Sequence, residues 1–337
     1  MIDSPTATRA SDWPHRWAVL LVALTFPLVW VGGLVTTTEA GMAVPDWPTT
    51  YGYNLFLYPW QTWLFGTWDL FIEHGHRLLA ATVGMVTIAF AIVTWLRDGR
   101  SLVRWLTVLA VIGVVAQGVL GGMRVVLDAR LLAKLHACLG NAFLALTVLL
   151  MAMTSRPWRE LTSERVAGAD RLRRLAVTIA ALAFTQIVLG AQLRHLSPGV
   201  NVTIFRLSLV FHIFVAVAIA AHALMLAACR VGESNLKRFA HPRSRWLAAL
   251  VAAQLSLGLG TWLVNYGWPS VIARPEWAER FTVVSSGWWQ THVTTAHVAL
   301  GAAIWALSVS LMAWTWRLSD CGSAAARPMF SKAEVLA

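Results

Sequence analysis

Long apolar runs alternate along the chain with mostly shorter polar connections, and every run is of membrane-spanning length. Each holds 20 to 28 residues, and an α-helix needs about 20 to cross the hydrocarbon layer of a bilayer. Eight such runs occupy roughly 17–37, 73–96, 104–123, 133–154, 174–194, 204–229, 245–265 and 289–316. The pattern predicts an all-α integral membrane protein of eight transmembrane helices. The connections differ in charge: one side carries 19 of the 27 Lys and Arg residues and the other carries 8. Positive residues stay on the cytoplasmic side, so both termini are expected there, in a multi-pass protein of the cell (inner, cytoplasmic) membrane. The two long connections, roughly 38–70 and 266–288, then face outward.

Composition sharpens this picture. Of 337 residues, 58% are hydrophobic and 13% are charged, with a mean hydropathy of +0.62. The charged share is about half that of a soluble domain. That excludes a disordered chain, a coiled coil and a secreted disulfide scaffold, and argues against a soluble enzyme. The net charge of +11 does not point to nucleic acid, because the basic residues sit in short loops rather than in a stripe interleaved with exposed aromatics. Nineteen Trp and thirteen Phe suit interfacial belts and large flat pockets. Cys138, Cys229 and Cys321 lie far apart without a CxxC pair, against a disulfide or zinc site. The polar N-terminus runs into a span too long for a signal-peptide core.

An internal repeat locates the chemistry. The fourth span reads His136-Ala-Cys-Leu-Gly140 and the eighth His297-Val-Ala-Leu-Gly301, with Arg156 and Arg317 closing them at the same distance. The third, fifth and seventh spans share Gln-x-x-Leu-Gly at Gln117, Gln186 and Gln254, and the first offers the related Gly32-Gly33-Leu34-Val35-Thr36. Spans 1–4 and 5–8 therefore form two copies of a four-helix unit. Both copies start on the cytoplasmic side, so the expected architecture is two parallel pseudo-repeated four-helix bundles, residues 1–160 and 161–337.

Ionisable groups inside a membrane are costly and mark function. Each even-numbered span has a histidine near its outer end: His76, His136, His212 and His297. Two facing helices that each supply a neutral imidazole suit bis-histidine haem ligation in a four-helix bundle. One such histidine alone would read as a hydrogen-bonded core residue; four at matched positions of a repeat favour ligation. Gly121, Gly122, Gly190, Gly258 and Gly260 would let helices approach a flat macrocycle, or one another. His292, five residues before His297, is an alternative ligand on the eighth span. His222 has no repeat partner, His74 faces away from His76, and His15, His195 and His241 read as polar residues at loops or span ends.

The halves differ at one place. His76 lies in Glu73-His74-Gly75-His76-Arg77, and Glu73 shares its helix face at i, i+3. Before His212 the same position holds Leu209. One pair has a carboxylate beside it and the other an apolar wall, which separates a reacting site from an electron-transfer or structural one. The bland alternative is that Glu73 caps the second span, with Arg77 as its partner.

These residues resemble the heme A synthases, haem-modifying assembly factors of cytochrome oxidase. The resemblance rests on Gly32-Gly33-Leu34-Val35-Thr36, Pro45-Asp46-Trp47-Pro48, Glu73-x-x-His76-Arg77, the segment Gln117 to Arg124, and His136, His212 and His297. It implies an oxidoreductase that converts a methyl group of haem O to formyl by successive hydroxylations with water, supplying haem A to cytochrome oxidase. His76 and His136 would flank the substrate haem O in the N-terminal half. His212 and His297 would ligate the iron of a haem b in the C-terminal half, and Glu73 would be the catalytic carboxylate. Arg77 and Arg124 are candidate partners for the carboxylates of the substrate haem, and Arg194 for those of haem b. Expected partners are haem O, the synthase that supplies it, an unidentified electron acceptor and the lipid bilayer; the oligomeric state is open, a homo-oligomer included.

Two features depart from the family. The first outer loop has no cysteine, which excludes a thiol relay there, and Ile213 follows His212 where the first half has His-Arg. The segment Asp46 to Tyr51 is expected to cover the substrate haem or else to be an interfacial Trp/Pro loop, and 266–288 to act as a lid or docking surface or else a solvated hairpin. Two other readings stay open: a di-haem b electron-transfer protein, which leaves Glu73 unexplained, and a non-catalytic haem carrier. A prenyltransferase is disfavoured, because no DxxxD pair is present to hold magnesium diphosphate.

Overall fold

The computed structural model describes residues 11–161, 169–196, 199–229, 234–269, 276, 281–285 and 287–320. Among the described residues, eight helices are long and apolar enough to cross a membrane, as the hydropathy pattern predicts, and the chain is a multi-pass membrane protein. They are α1 (Trp13–Thr37), α3 (Trp68–Arg97), α4 (Ser101–Val126), α5 (Arg130–Thr154), α7 (Ala169–Arg194), α8 (Val202–Ala228), α9 (Ser234–Tyr266) and α10 (Trp288–Asp320). Two short helices, α2 (Trp60–Leu64) and α6 (Arg156–Glu160), lie in connections.

The helix ends extend past the apolar runs because polar capping residues are invisible to hydropathy. Thus α3 starts at Trp68 rather than near 73, and its N-cap Thr67 accepts a hydrogen bond from the Leu70 amide. Glu73 therefore lies in the second turn and is not the cap. Similarly, Asn201 caps α8 through the Thr203 amide at 2.8 Å. Buried threonines along the spans satisfy their hydroxyls on their own helix: Thr25 on Leu21, Thr87 on Val83 and Thr315 on Leu311. That removes the cost of a free donor in an apolar medium.

Helices α1, α3, α4 and α5 pack in a closed ring, and α7, α8, α9 and α10 pack in another. The first ring buries Leu21, Val83, Phe90, Val103 and Phe143, and the second buries Ile179, Ile219, Leu247, Ile304 and Leu311. α10 lies against α1 and α5, and α5 also meets α7, so the rings share a seam. At mid-height the seam holds Leu144, Ala302 and Ala306. At the end where α1 starts it holds Trp314, stacked on Phe239 at 4.6 Å with Trp158 edge-on at 4.9 Å. At that end Asp98 pairs with Arg100 at 2.6 Å, and Arg100 also donates to the Met153 carbonyl. Burial raises the Asp98 carboxyl, but the hydrogen bonds and charge of Arg100 outweigh it and hold the group below its ordinary range. The candidate site lies at the opposite, upper end, which carries residues 38–67.

Candidate functional site

Four histidines face four glycines. A β-carbon added to Gly32, Gly121, Gly190 or Gly258 would lie 3.0, 3.0, 3.5 and 3.2 Å from Cε1 of His76, His136, His212 and His297 respectively. Each imidazole on α3, α5, α8 or α10 thus lies against bare backbone on α1, α4, α7 or α9. The shared Gln-x-x-Leu-Gly pattern has a physical basis in two of its three copies. Gln254 Nε2 donates to the His297 carbonyl at 2.9 Å. Gln117, with its amide turned to satisfy both ends, donates to the His136 carbonyl at 3.1 Å and to His136 Nδ1 at 2.9 Å. Glutamine and glycine, one turn apart on one helix face, hold the neighbouring histidine's backbone and leave room for its ring.

The arrangement fits the group expected there. An iron gripped by two imidazoles from opposite sides needs ring centres about 6 Å apart, from bonds of about 2 Å plus about 1 Å inside each ring. The rings of His212 and His297 stand 6.3 Å apart. Nδ1 of His76, His212 and His297 is buried without a hydrogen-bond partner. His292 instead packs on Trp288 at 4.5 Å, so His297 is the eighth-span histidine that faces His212. His222 bonds the Ala218 carbonyl of its own helix and His15 meets Thr154, which leaves both outside the pairs.

His76 and His136 open onto a cavity of about 410 Å³, lined mainly by apolar residues with Glu73, Arg77, Arg124, Arg194 and His195 at its upper end. Glu73 is 2% exposed; Oε1 accepts from Arg77 at 2.8 Å and Oε2 from the Val44 amide at 2.8 Å. Arg77 also donates to the carbonyls of Val44 at 2.7 Å, Asp46 at 2.7 Å and Thr49 at 3.1 Å. The guanidinium thus clamps the 44–49 segment onto α3, whereas the sequence placed it on a haem carboxylate. Trp47 is the blade of this lid: a β-carbon on Gly122 would collide with its indole. The lid's far side is fixed by Thr50, which meets His74 Nδ1 at 3.1 Å, and by Asp46, which accepts from the amides of Tyr51 and Gly52 and from the Thr49 hydroxyl. Burial raises the Asp46 carboxyl, but the Gly52 amide, Thr49 hydroxyl and Tyr51 amide outweigh it and leave the group below its ordinary range.

Arg124 lines the cavity with no side-chain hydrogen bond or ion pair among the described residues, and the backbone of Gly41 lies against its guanidinium. Arg194 departs from expectation. Predicted beside the His212–His297 pair, it reaches across the seam, donates to the Gly33 carbonyl at 2.7 Å and to the Thr37 hydroxyl, and lines the first cavity. Thr37 in turn meets Thr295 of α10 at 3.2 Å, so a polar seam joins the two pairs. His195 was overlooked as a loop residue; it too lines the cavity. Burial, with Arg194, Arg124, Lys134 and Arg130 nearby, pushes it down to about 4. No cue within either repeat copy marked this crossing, since both residues belong to the second half. In the segment 266–288, residues 270–275, 277–280 and 286 lie outside the described residues, so its expected lid role stands as an expectation.

Residues 15–209 match the model of a family described as cytochrome oxidase assembly protein. The chain is 25% identical to the heme A synthase of Hyphomonas neptunium, over 59% of this chain and 64% of that protein. It is 27% identical to the heme A synthase of Bacillus licheniformis, over 54% and 58%. The chain thus spans about six tenths of these two relatives. A longer match, to the heme A synthase of a Methylobacterium species, is 25% identical over 89% and 94%.

Proposed function

Since this chain belongs to the cytochrome oxidase assembly protein family, we propose that it is a membrane oxidoreductase of haem A biosynthesis, converting a methyl group of haem O to formyl. The net change is R–CH₃ + H₂O → R–CHO + 4 H⁺ + 4 e⁻, in successive hydroxylations that take oxygen from water and pass electrons to an acceptor outside the chain. Haem O, as substrate, occupies the first-half cavity between His76 and His136. His212 and His297 hold haem b, whose iron supplies one-electron transfer when bound.

The carrying observation is the buried Glu73 on the wall of the cavity onto which His76 opens, where the repeat places Leu209 in the other half. Loss of electrons from the methyl group leaves a carbon with cationic character. The Glu73 carboxylate stabilises that charge and takes protons from the attacking water. Arg77 and the Val44 amide aim the carboxylate, and Trp47 closes the cavity above it. Arg124 and Arg194 offer positive charge to the substrate's carboxylates. In this reading the two bundles are parallel repeats, residues 1–160 and 161–337, with both termini cytoplasmic in the cell membrane, and a haem O synthase supplies the substrate. A purely electron-transferring di-haem protein has no use for Glu73.

The test is co-expression with a source of haem O, followed by identification of extracted haems by mass. The wild type yields formyl-bearing haem or its hydroxylated precursor. Glu73→Gln and Glu73→Ala retain bound haem and yield neither. Full activity in either variant would refute the catalytic role.

A further inference from the structure

One of the four histidines differs from the rest at a ring nitrogen. Nδ1 of His76, His212 and His297 is buried with no hydrogen-bond partner among the described residues. Nδ1 of His136 is bonded to the Gln117 amide at 2.9 Å. Both ends of that amide are fixed: its nitrogen also donates to the His136 carbonyl at 3.1 Å, and its oxygen accepts from the Gly140 amide at 3.0 Å. The group facing Nδ1 is therefore an N–H donor, and Nδ1 accepts. A neutral imidazole that accepts at Nδ1 carries its proton on Nε2.

That proton is in the wrong place for an iron ligand. A metal binds imidazole at a nitrogen lone pair, and the other nitrogen then carries the proton. For Nε2 of His136 to bond a metal, its proton has to move to Nδ1, where it meets the Gln117 N–H. Turning the amide to offer its oxygen sets that oxygen against the His136 carbonyl and the nitrogen against the Gly140 amide. Two like contacts then replace two hydrogen bonds, in a buried place where such losses are expensive. The repeat supplies the contrast. Gln254 donates only to the His297 carbonyl, and its Oε1 has no partner among the described residues, so it does not oppose the ligating form of His297. Gly121 and Gly258 give the two rings similar room, which leaves the hydrogen bond as the difference.

We propose that Gln117 is a positioning residue that makes His136 the weak, exchangeable partner in the first-half pair. His76 keeps its hold on the ring ligand while His136 lets go, so a substrate enters and its product leaves on each turnover. The second half, with neither histidine opposed, keeps its cofactor. The inference rests on the proposed function in taking the first-half ligand to be a haem that is replaced and the second-half one to be resident.

Two measurements test this on the full chain, loaded with haem b in its second half. The first is nitrogen-15 NMR of labelled histidine in bilayers, with the iron reduced and the first half empty. The His136 signals, assigned by their loss in His136→Ala, show a protonated Nε2 and a bare Nδ1; the reverse overturns the inference. The second adds ferric haem O and follows transfer from each half to excess apomyoglobin. Wild type loses its first-half haem at least tenfold faster than its second-half haem. Gln117→Leu and Gln117→Met, which cannot donate to Nδ1, slow the first-half loss about tenfold. A glutamine that only braced the fold would act in the opposite sense, since its removal would loosen the site. First-half release unchanged or faster in both variants overturns the inference. Gln254→Leu does not slow release from the second half, and slowing there would remove the contrast on which the inference stands. Release that depends on Gln117, in a protein that never makes a formyl haem, keeps the inference and refutes the proposed function.

Discussion

Replacing Arg77 by alanine separates two roles for that residue. Its guanidinium makes one bond to Glu73 and three to lid carbonyls, with the pair 12% and 2% exposed. Truncating one partner of a buried ion pair costs about 3–5 kcal/mol, mostly because the other charge is left uncompensated. Each lost bond from the cation to a lid carbonyl adds to that. Glu73 would keep only the Val44 amide, which belongs to the lid that Arg77 holds down. The lid's opening equilibrium should therefore rise by about two to three and a half decades. Hydrogen exchange read by mass spectrometry reports this directly, because the Thr50 and Tyr53 amides bond each other's carbonyls at 3.0 Å and are protected only while the lid is closed. Arg77→Lys should recover part of the protection, since one ammonium cannot replace a fork with four partners. If Arg77→Ala leaves exchange across residues 43–58 unchanged but weakens haem binding, the clamp is wrong and Arg77 is a ligand anchor.

Gly122→Ala should displace Trp47 from its seat, opening the lid without touching Arg77 and raising exchange over the same segment. His297→Met should abolish the second-half haem spectrum while His292→Met leaves it intact; the opposite outcome would reassign the ligand. Acidification should loosen the lid through Asp46. Its carboxyl lies below the ordinary 3.8 in the folded state, so its contribution is complete above that value and is lost as pH falls through the depressed one. Asp46→Asn, whose side chain does not titrate, should remove this pH dependence from lid exchange.

Much of the site was legible because its residues are unusual where they stand. A histidine in an apolar run, repeated at matching depth in four helices, is expensive enough to advertise a purpose. The Glu73–Leu209 asymmetry needed only the repeat. What the repeat could not reveal was traffic between its copies. Arg194 belongs to the second half by sequence yet serves the first, because α7 ends beside α1 and a guanidinium reaches a carbonyl across the seam. Arg77 looked free to meet a ligand because nothing local shows that the Val44–Thr49 carbonyls fold back over it.

The choice between His292 and His297 was likewise closed to pattern. Five residues along a helix is a rotation, and its meaning depends on where α8 stands. Run length and charge alone determined the eight spans and their connections, because transfer from water to hydrocarbon depends on local composition. Which cation meets which carbonyl, which imidazole faces its partner, and which glycine leaves space rather than fills it were decided by tertiary structure. Those are short-range contacts between groups far apart in the chain, and only packing brings them within reach.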